Sequence, residues 1–290
     1  MWRLLGAPLD SSASGRGEEW APEALRAAGI AEAFGAHDAG DATGRLSDAR
    51  RDPETGVIAF GELAAASAEL REAVALTIEE GDRPLVVGGD CTLLLGAIAG
   101  ARRHTEEIGM WFIDGHADYL DGVSSETGEA ADMELAILTG TEPPGLCDLA
   151  PPAPMLEPEN VVILGHRPPS IGADVAGELE RVPAELSHLT AAEIRQRGAG
   201  SVADECEKQL AEVGAAWLHL DLDALDEAAL GSVTYAQPEG LDWEDFTELT
   251  RIFLRSPALI GASVADFNPD RDPDGGDARR IVTALSEALA

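Results

Sequence analysis

Met110-Trp111-Phe112-Ile113-Asp114-Gly115-His116-Ala117-Asp118 is the run on which the reading of this chain turns. Its first four residues are apolar, rich in strand formers and bounded by polar residues, the pattern of a short buried strand. The next five hold two aspartates and a histidine. Ala215-Ala216-Trp217-Leu218-His219-Leu220 repeats the apolar pattern, and Asp221-Leu222-Asp223 follows it. Aspartate at a strand-to-helix junction often caps a helix. A cap accounts for one aspartate per junction, not for two carboxylates and an imidazole within five residues. Asp114, Asp118, Asp221, Asp223 and His116 crowded at the rim of a sheet would repel or be poorly solvated unless a cation held them. The expectation is a metal site.

Working outward, strand-length apolar runs alternate with longer helical patterns. Further strands are expected at Arg3–Gly6, Leu85–Gly88, Val161–Gly165 and Leu259–Val264. Helices are expected at Pro22–Phe34, Phe60–Glu80, Thr92–His104, Ser201–Glu212, Trp243–Arg255 and Asp277–Leu289. Such alternation predicts a three-layer α/β/α fold around a mostly parallel sheet, with ligands beyond the carboxyl ends of the strands. The proline-rich Thr141–Glu159 and the Asp/Pro/Gly-rich Phe267–Gly276 read as loops. No long linker or internal repeat interrupts the pattern, so residues 1–290 are expected to form one catalytic domain.

The chain is 290 residues long and 45% hydrophobic, enough for a full core. No apolar stretch approaches membrane-spanning length, and the apolar part of the N-terminus is too short for a signal peptide. Cys91, Cys147 and Cys206 are odd in number and far apart, which argues against a disulfide framework and for the cytoplasm. A formal net charge of −34, with Lys208 the only lysine, excludes nucleic acid and anionic membranes as natural partners. Most of these carboxylates are expected on solvated helix faces.

Four ordered blocks then resemble the arginase and agmatinase (ureohydrolase) superfamily. Gly88-Gly89-Asp90-Cys91-Thr92 resembles its Gly-Gly-Asp-His-Ser block, and Asp114–Asp118 its Asp-Ala-His-x-Asp block. His219–Asp226 resembles its Ser-x-Asp-x-Asp-x-x-Asp block, and Asp266-Phe267-Asn268-Pro269 its Glu-x-Asn-Pro block. The opening Gly6-Ala7-Pro8-Leu9-Asp10 and Ala21–Arg26 extend the likeness nearly end to end. Four blocks in order are far more specific than any one of them.

The resemblance implies an arginase-like fold, two manganese ions and hydrolysis of a guanidinium to urea and an amine. One ion would take Cys91, Asp114, Asp118 and Asp221; the other would take Asp114, His116, Asp221 and Asp223. Water bound to a suitable dication ionises at about pH 7. Asp118 would accept the proton as the tetrahedral intermediate collapses, and Asp266 would anchor the guanidinium. The resemblance also implies trimers or hexamers.

Where the chain departs from the pattern, expectations change. Cys91 stands for the usual histidine. It would bind a softer metal, bind manganese weakly, or remain an unligated buried thiol. Cys-for-His followed by Asp-Gly-His also looks like a branch of the superfamily in specialised metabolism that hydrolyses N-hydroxyarginine to hydroxyurea and ornithine. Asp266 is one methylene shorter than the family's glutamate. Leu120 and Ala131 replace the family's asparagine and shuttle histidine. Glu129 would repel an α-carboxylate, so with Asp132 it favours neutral or cationic guanidines over free arginine. His166 reads equally as a residue of the site's mouth or of a solvated loop; His219 reads as a core residue able to hydrogen-bond a ligand. The first expectation for activity is a metal-dependent amidinohydrolase. A single-metal deacetylase-like amide or imine hydrolase, and a non-catalytic homologue that binds a metabolite or partner, remain open.

Overall fold

The computed structural model describes residues 1–290, apart from the side chain of Asp174. In chain order its elements are β1 (Trp2–Ala7), α1 (Ala21–Ala27), α2 (Ile30–Phe34), β2 (Ala36–Asp41), α3 (Phe60–Glu79), β3 (Arg83–Gly88), α4 (Leu93–Ala101), β4 (Gly109–Ile113), α5 (Glu134–Leu138), β5 (Val161–His166), α6 (Ala173–Leu179), β6 (Ser187–Thr190), α7 (Ala191–Arg197), α8 (Ala199–Ala211), β7 (Ala216–Asp221), α9 (Trp243–Leu254), β8 (Leu259–Ala265) and α10 (Gly276–Leu289). The strands form one eight-stranded sheet in the order β2-β1-β3-β8-β7-β4-β5-β6. Every pairing is parallel, so the expected three-layer α/β architecture holds.

Strand side chains alternate between the two faces. Trp111, Ile113, Leu218 and Leu220 pack on one side with α1, α2 and α7–α10. Met110, Phe112 and Trp217 pack on the other with α3–α5. On the first side α9 buries Phe246, Leu249 and Phe253 at helical spacing, and Trp111 stacks on Phe253 with centroids 4.7 Å apart. Being buried on both faces, the central strands have no polar alternation, which is why they are apolar runs in the sequence apart from the buried His219 and Ser263.

The edge strands β2 and β6 escape sequence reading. Ala36–Asp41 and Ser187–Thr190 are short, polar and mostly exposed, so they lack the apolar run that marked the others. The expected helix Pro22–Phe34 is two helices, because Gly29 takes a left-handed φ of 96° between them. The short helices α5, α6 and α7 also carry too few turns to show a period. Thr141–Glu159 is a turn-rich loop anchored by buried Leu146, Met155 and Leu156. No helix among the described residues is long and apolar enough to cross a membrane.

Register places the site. Val87, Val264, Leu220 and Ile113 lie opposite one another across β3, β8, β7 and β4. The four central strands therefore end level, and Asp221 at the tip of β7 is joined there by Cys91, Asp266 and Asp114 from the chain just beyond the other three. Gly89 allows this convergence at the first turn: a Cβ there would lie 1.7 Å from the carbonyl oxygen of Leu9.

Candidate metal centre

Each key aspartate divides its two oxygens between backbone and cleft. Asp114 accepts the His116 N–H at 2.7 Å through Oδ1, and its Oδ2 lies 3.8 Å from the Cys91 sulfur. Asp221 accepts the Asp223 N–H at 2.6 Å through Oδ1, and its Oδ2 lies 2.6 Å from the same sulfur. Asp223 accepts the Gly115 N–H at 3.2 Å through Oδ1, and its Oδ2 meets His116 Nδ1 at 3.0 Å. Capping and ligation are therefore compatible uses of one side chain: one oxygen fixes the turn, the other is aimed.

The sites overlap in three groups of donor atoms, each within 4.8 Å of one another: Asp114, His116 and Asp223; Cys91, Asp114, His219 and Asp221; and Cys91, Asp114, Asp118 and Glu134. Asp118 thus sits with Glu134, while Asp221 sits with His219. Asp118 and Asp266 hold left-handed φ values of 48° and 64°, conformations that cost about 1–3 kcal/mol each and persist where surrounding structure over-determines them. Asp266 Oδ2 lies 3.1 Å from Cys91 Sγ.

Electrostatics test whether these residues fit a cation. Burial, then mutual repulsion, pushes the carboxyls of Asp114, Asp118, Asp221 and Asp266 well above the ordinary range. Burial and the same aspartates push the Cys91 thiol up. Glu134 is fully buried with neither oxygen partnered. Burial also opposes charge on His116 and Asp223, but their attraction prevails, raising His116 to about 9 and holding Asp223 below its usual range. A divalent ion would replace these shared protons and remove the repulsion. The oxygen-rich donor set with imidazole and thiolate fits such ions.

Several residues around the site gave little sequence signal. Arg167 is fully buried, and its guanidinium donates to the carbonyls of Asp223, Leu225 and Gln237 at 2.5, 2.9 and 2.9 Å. It clamps the segment after β7 beneath the centre. A Cβ on residue 115 would lie 1.8 Å from Arg167 Nη1, so the buried guanidinium requires the glycine of Asp114-Gly115-His116. Glu134 heads α5, a helix too short for its period to mark it in the sequence. Glu178, from α6, accepts the Ala117 N–H at 3.2 Å and is raised to about 7, chiefly by burial.

The aspartates form the floor of a cleft of about 910 Å³. Leu120, Glu129, Ala131, Asp132 and Tyr235 line its walls. Glu129 does not act as the free repelling charge expected from sequence, because Arg16 pairs with both its oxygens at 3.0 and 2.7 Å. Asp132 accepts from Ser125 and Thr127 hydroxyls, each at 2.7 Å. His166 is not at the mouth. It is 2% exposed, with Nδ1 2.8 Å from the Arg167 carbonyl and Nε2 3.0 Å from His188. The end of a buried strand, not a loop, carries it. His219, expected in the core, is buried but turns Nε2 toward the centre, 3.1 Å from Cys91 Sγ.

A model of the Arginase family matches residues 2–290. The arginase of Brevibacillus brevis is 28% identical over 292 residues, covering 99% of this chain and 96% of its own. The solved arginase of Bacillus caldovelox aligns at a TM-score of 0.90 and 26% identity, over 99% of this chain and 97% of its own. The formimidoylglutamase of Bacillus subtilis subsp. subtilis str. 168 shares the fold at a TM-score of 0.75 and 17% identity, over 99% of this chain and 85% of its own. With a full-length family match laid over this arrangement of buried donors, the chain belongs to the arginase family, whose members are metal-dependent hydrolases of amidino carbon–nitrogen bonds and hold a binuclear centre, typically of manganese.

Proposed function

We propose that residues 1–290 act as one catalytic domain that hydrolyses a guanidino compound other than free arginine, N-hydroxylated guanidines included. The products are urea or hydroxyurea and an amine. The observation that carries this reading is the state of the cleft's two arginines. Arg16 is engaged by Glu129 and Glu18, and Arg181 by Asp121 at 3.4 Å. Among the described residues lining the cleft, no other arginine or lysine faces a substrate carboxylate. Glu126, Glu178 and Glu180 line the same walls, which suits a neutral or cationic tail.

Asp114, Asp118, Asp221, Asp223, His116 and Cys91 would hold the ions. The chemistry bound divalent ions supply is water ionised at neutral pH beside a polarised substrate. Asp266, buried at the floor, accepts hydrogen bonds from the guanidinium and orients its carbon for attack. Asp118 and Glu134 are buried beside each other, and burial raises both carboxyls well above the ordinary range. Asp118 is positioned to take the proton released from water, and the pair can return one to the departing nitrogen. Water and guanidine are consumed, urea and amine leave, and the proton balance closes.

A urea and hydroxyurea assay across guanidines, with manganese added, tests the reading. Decarboxylated or N-hydroxylated guanidines are expected to exceed free arginine in kcat/KM by at least about tenfold. Arginine as the best substrate would overturn the substrate assignment; release of neither urea nor hydroxyurea from any guanidine would overturn the hydrolase reading. Trimeric or hexameric assembly, a cytoplasmic location and a place in specialised metabolism belong to the same proposal. The free cysteines Cys91, Cys147 and Cys206 are in keeping with a reducing compartment, and light scattering measures the assembly.

A further inference from the structure

We infer that Cys91 and His219 together build a thiolate–imidazole position that selects a zinc-type dication, so that the centre holds two chemically different ions. The inference rests on the metal-centre reading above and goes beyond it in ligand set and metal choice.

Cys91 comes from the turn after β3 and His219 from β7, two strands away across β8. Even so, Sγ and Nε2 lie 3.1 Å apart, and both lie within 4.8 Å of oxygens from Asp114 and Asp221. One sulfur, one imidazole nitrogen and two carboxylate oxygens make a four-donor set suited to zinc's tetrahedral preference. Thiolate favours such ions over manganese, which prefers oxygen and imidazole. Asp266, whose Oδ2 is 3.1 Å from the sulfur, closes the remaining side of this group.

The imidazole is already oriented for the task. Its Nδ1 lies 2.8 Å from Ser263 Oγ, which accepts the Trp217 indole N–H at 3.0 Å. The ring stacks on Phe112 at a centroid distance of 5.2 Å. With the proton on Nδ1 donated to Ser263, the Nε2 lone pair faces the sulfur. That outer hydrogen bond is the one by which ligating histidines are ordinarily aimed. His219 and Ser263 are 0% exposed and Cys91 2%, so water competes little for this face. The other half, Asp114, His116 and Asp223, offers only oxygen and imidazole and suits a harder ion. Where the family pattern has an imidazole at position 91, this chain offers one from β7, two strands away.

Cobalt substitution reports this position without turnover. One equivalent of cobalt in the full-length protein is expected to give a near-ultraviolet thiolate charge-transfer band and strong visible absorption of a four-coordinate ion. The band should vanish in Cys91→Ser, and the visible intensity should fall in His219→Ala. Zinc should displace the signal, while about a 100-fold excess of manganese should not. X-ray absorption on the zinc-loaded wild type, requiring no variant to fold, should show one sulfur and at least one imidazole nitrogen. Cobalt bound without a sulfur band, or a zinc shell lacking sulfur, would overturn the inference while leaving a metal centre in place. Failure of the wild type to bind any divalent ion would overturn both.

Discussion

The two halves of the centre are organised by different forces. Around His116 and Asp223, order is built into the polypeptide: Asp223 is fixed by the Gly115 N–H, its carbonyl is clamped by Arg167, and it faces a histidine of opposite charge. Around Cys91, the neighbours Asp221 and Asp266 are driven by burial and repulsion toward their protonated forms. The first half is arranged before any ion arrives. The second becomes a low-energy arrangement only with a cation among its donors. One consequence is that damage to the first half should act through lost geometry, and damage to the second through lost metal.

The strongest test removes the charge the two halves depend on. Asp223→Ala should lower turnover by about 10²–10³-fold or more, measured by urea release, with circular dichroism unchanged. A fully active variant would separate His116 and Asp223 from the chemistry. Arg167→Met should cost on the order of 3–5 kcal/mol in denaturant unfolding, because it strands buried carbonyls of the segment after β7. A loss below about 1 kcal/mol would mean that this segment is held by something else.

A pH test probes the scaffold beside the His116 half. Burial lowers His166 to about 4 from 6.5. Its neutral ring therefore contributes stability that is fully present above pH 6.5 and is lost as pH falls toward 4. The difference in unfolding free energy between wild type and His166→Gln should change by at most roughly 3 kcal/mol across that window, in the sense that wild type loses more on acidification. A pH-independent difference would refute the burial effect.

Smaller effects sharpen the contrast. Ser263→Ala should weaken zinc at the Cys91 half by about 10- to 100-fold and leave manganese affinity at the His116 half unchanged, read by competitive metal titration. Glu129→Gln should remove one of the carboxylates that hold Arg16 and lower KM for arginine about fivefold, on the order of 1 kcal/mol, while cationic-tailed guanidines gain nothing. Equal changes for both substrates would remove Arg16 and Glu129 from tail recognition.

Local pattern carried much of this molecule. The central strands were legible because burial on both faces demands largely apolar runs, and Asp114, His116, Asp221 and Asp223 were legible because they follow those runs directly. The polar edge strands Ala36–Asp41 and Ser187–Thr190 were not, since their pairing is decided by neighbours rather than by composition. His166 was misplaced for a related reason: nothing in Gly165-His166-Arg167 shows that its ring turns away from the cleft to meet His188.

What no periodicity can express is which distant side chains share a point. Short-range order sets which residues leave the sheet at its carboxyl rim, because strand length and turn chemistry are local. Parallel register across β1, β3, β8, β7 and β4 decides that Cys91 meets His219 and that Arg16 meets Glu129. Those meetings depend on packing between segments more than 100 residues apart in the chain, and packing is a property of the assembled layers rather than of any stretch within them.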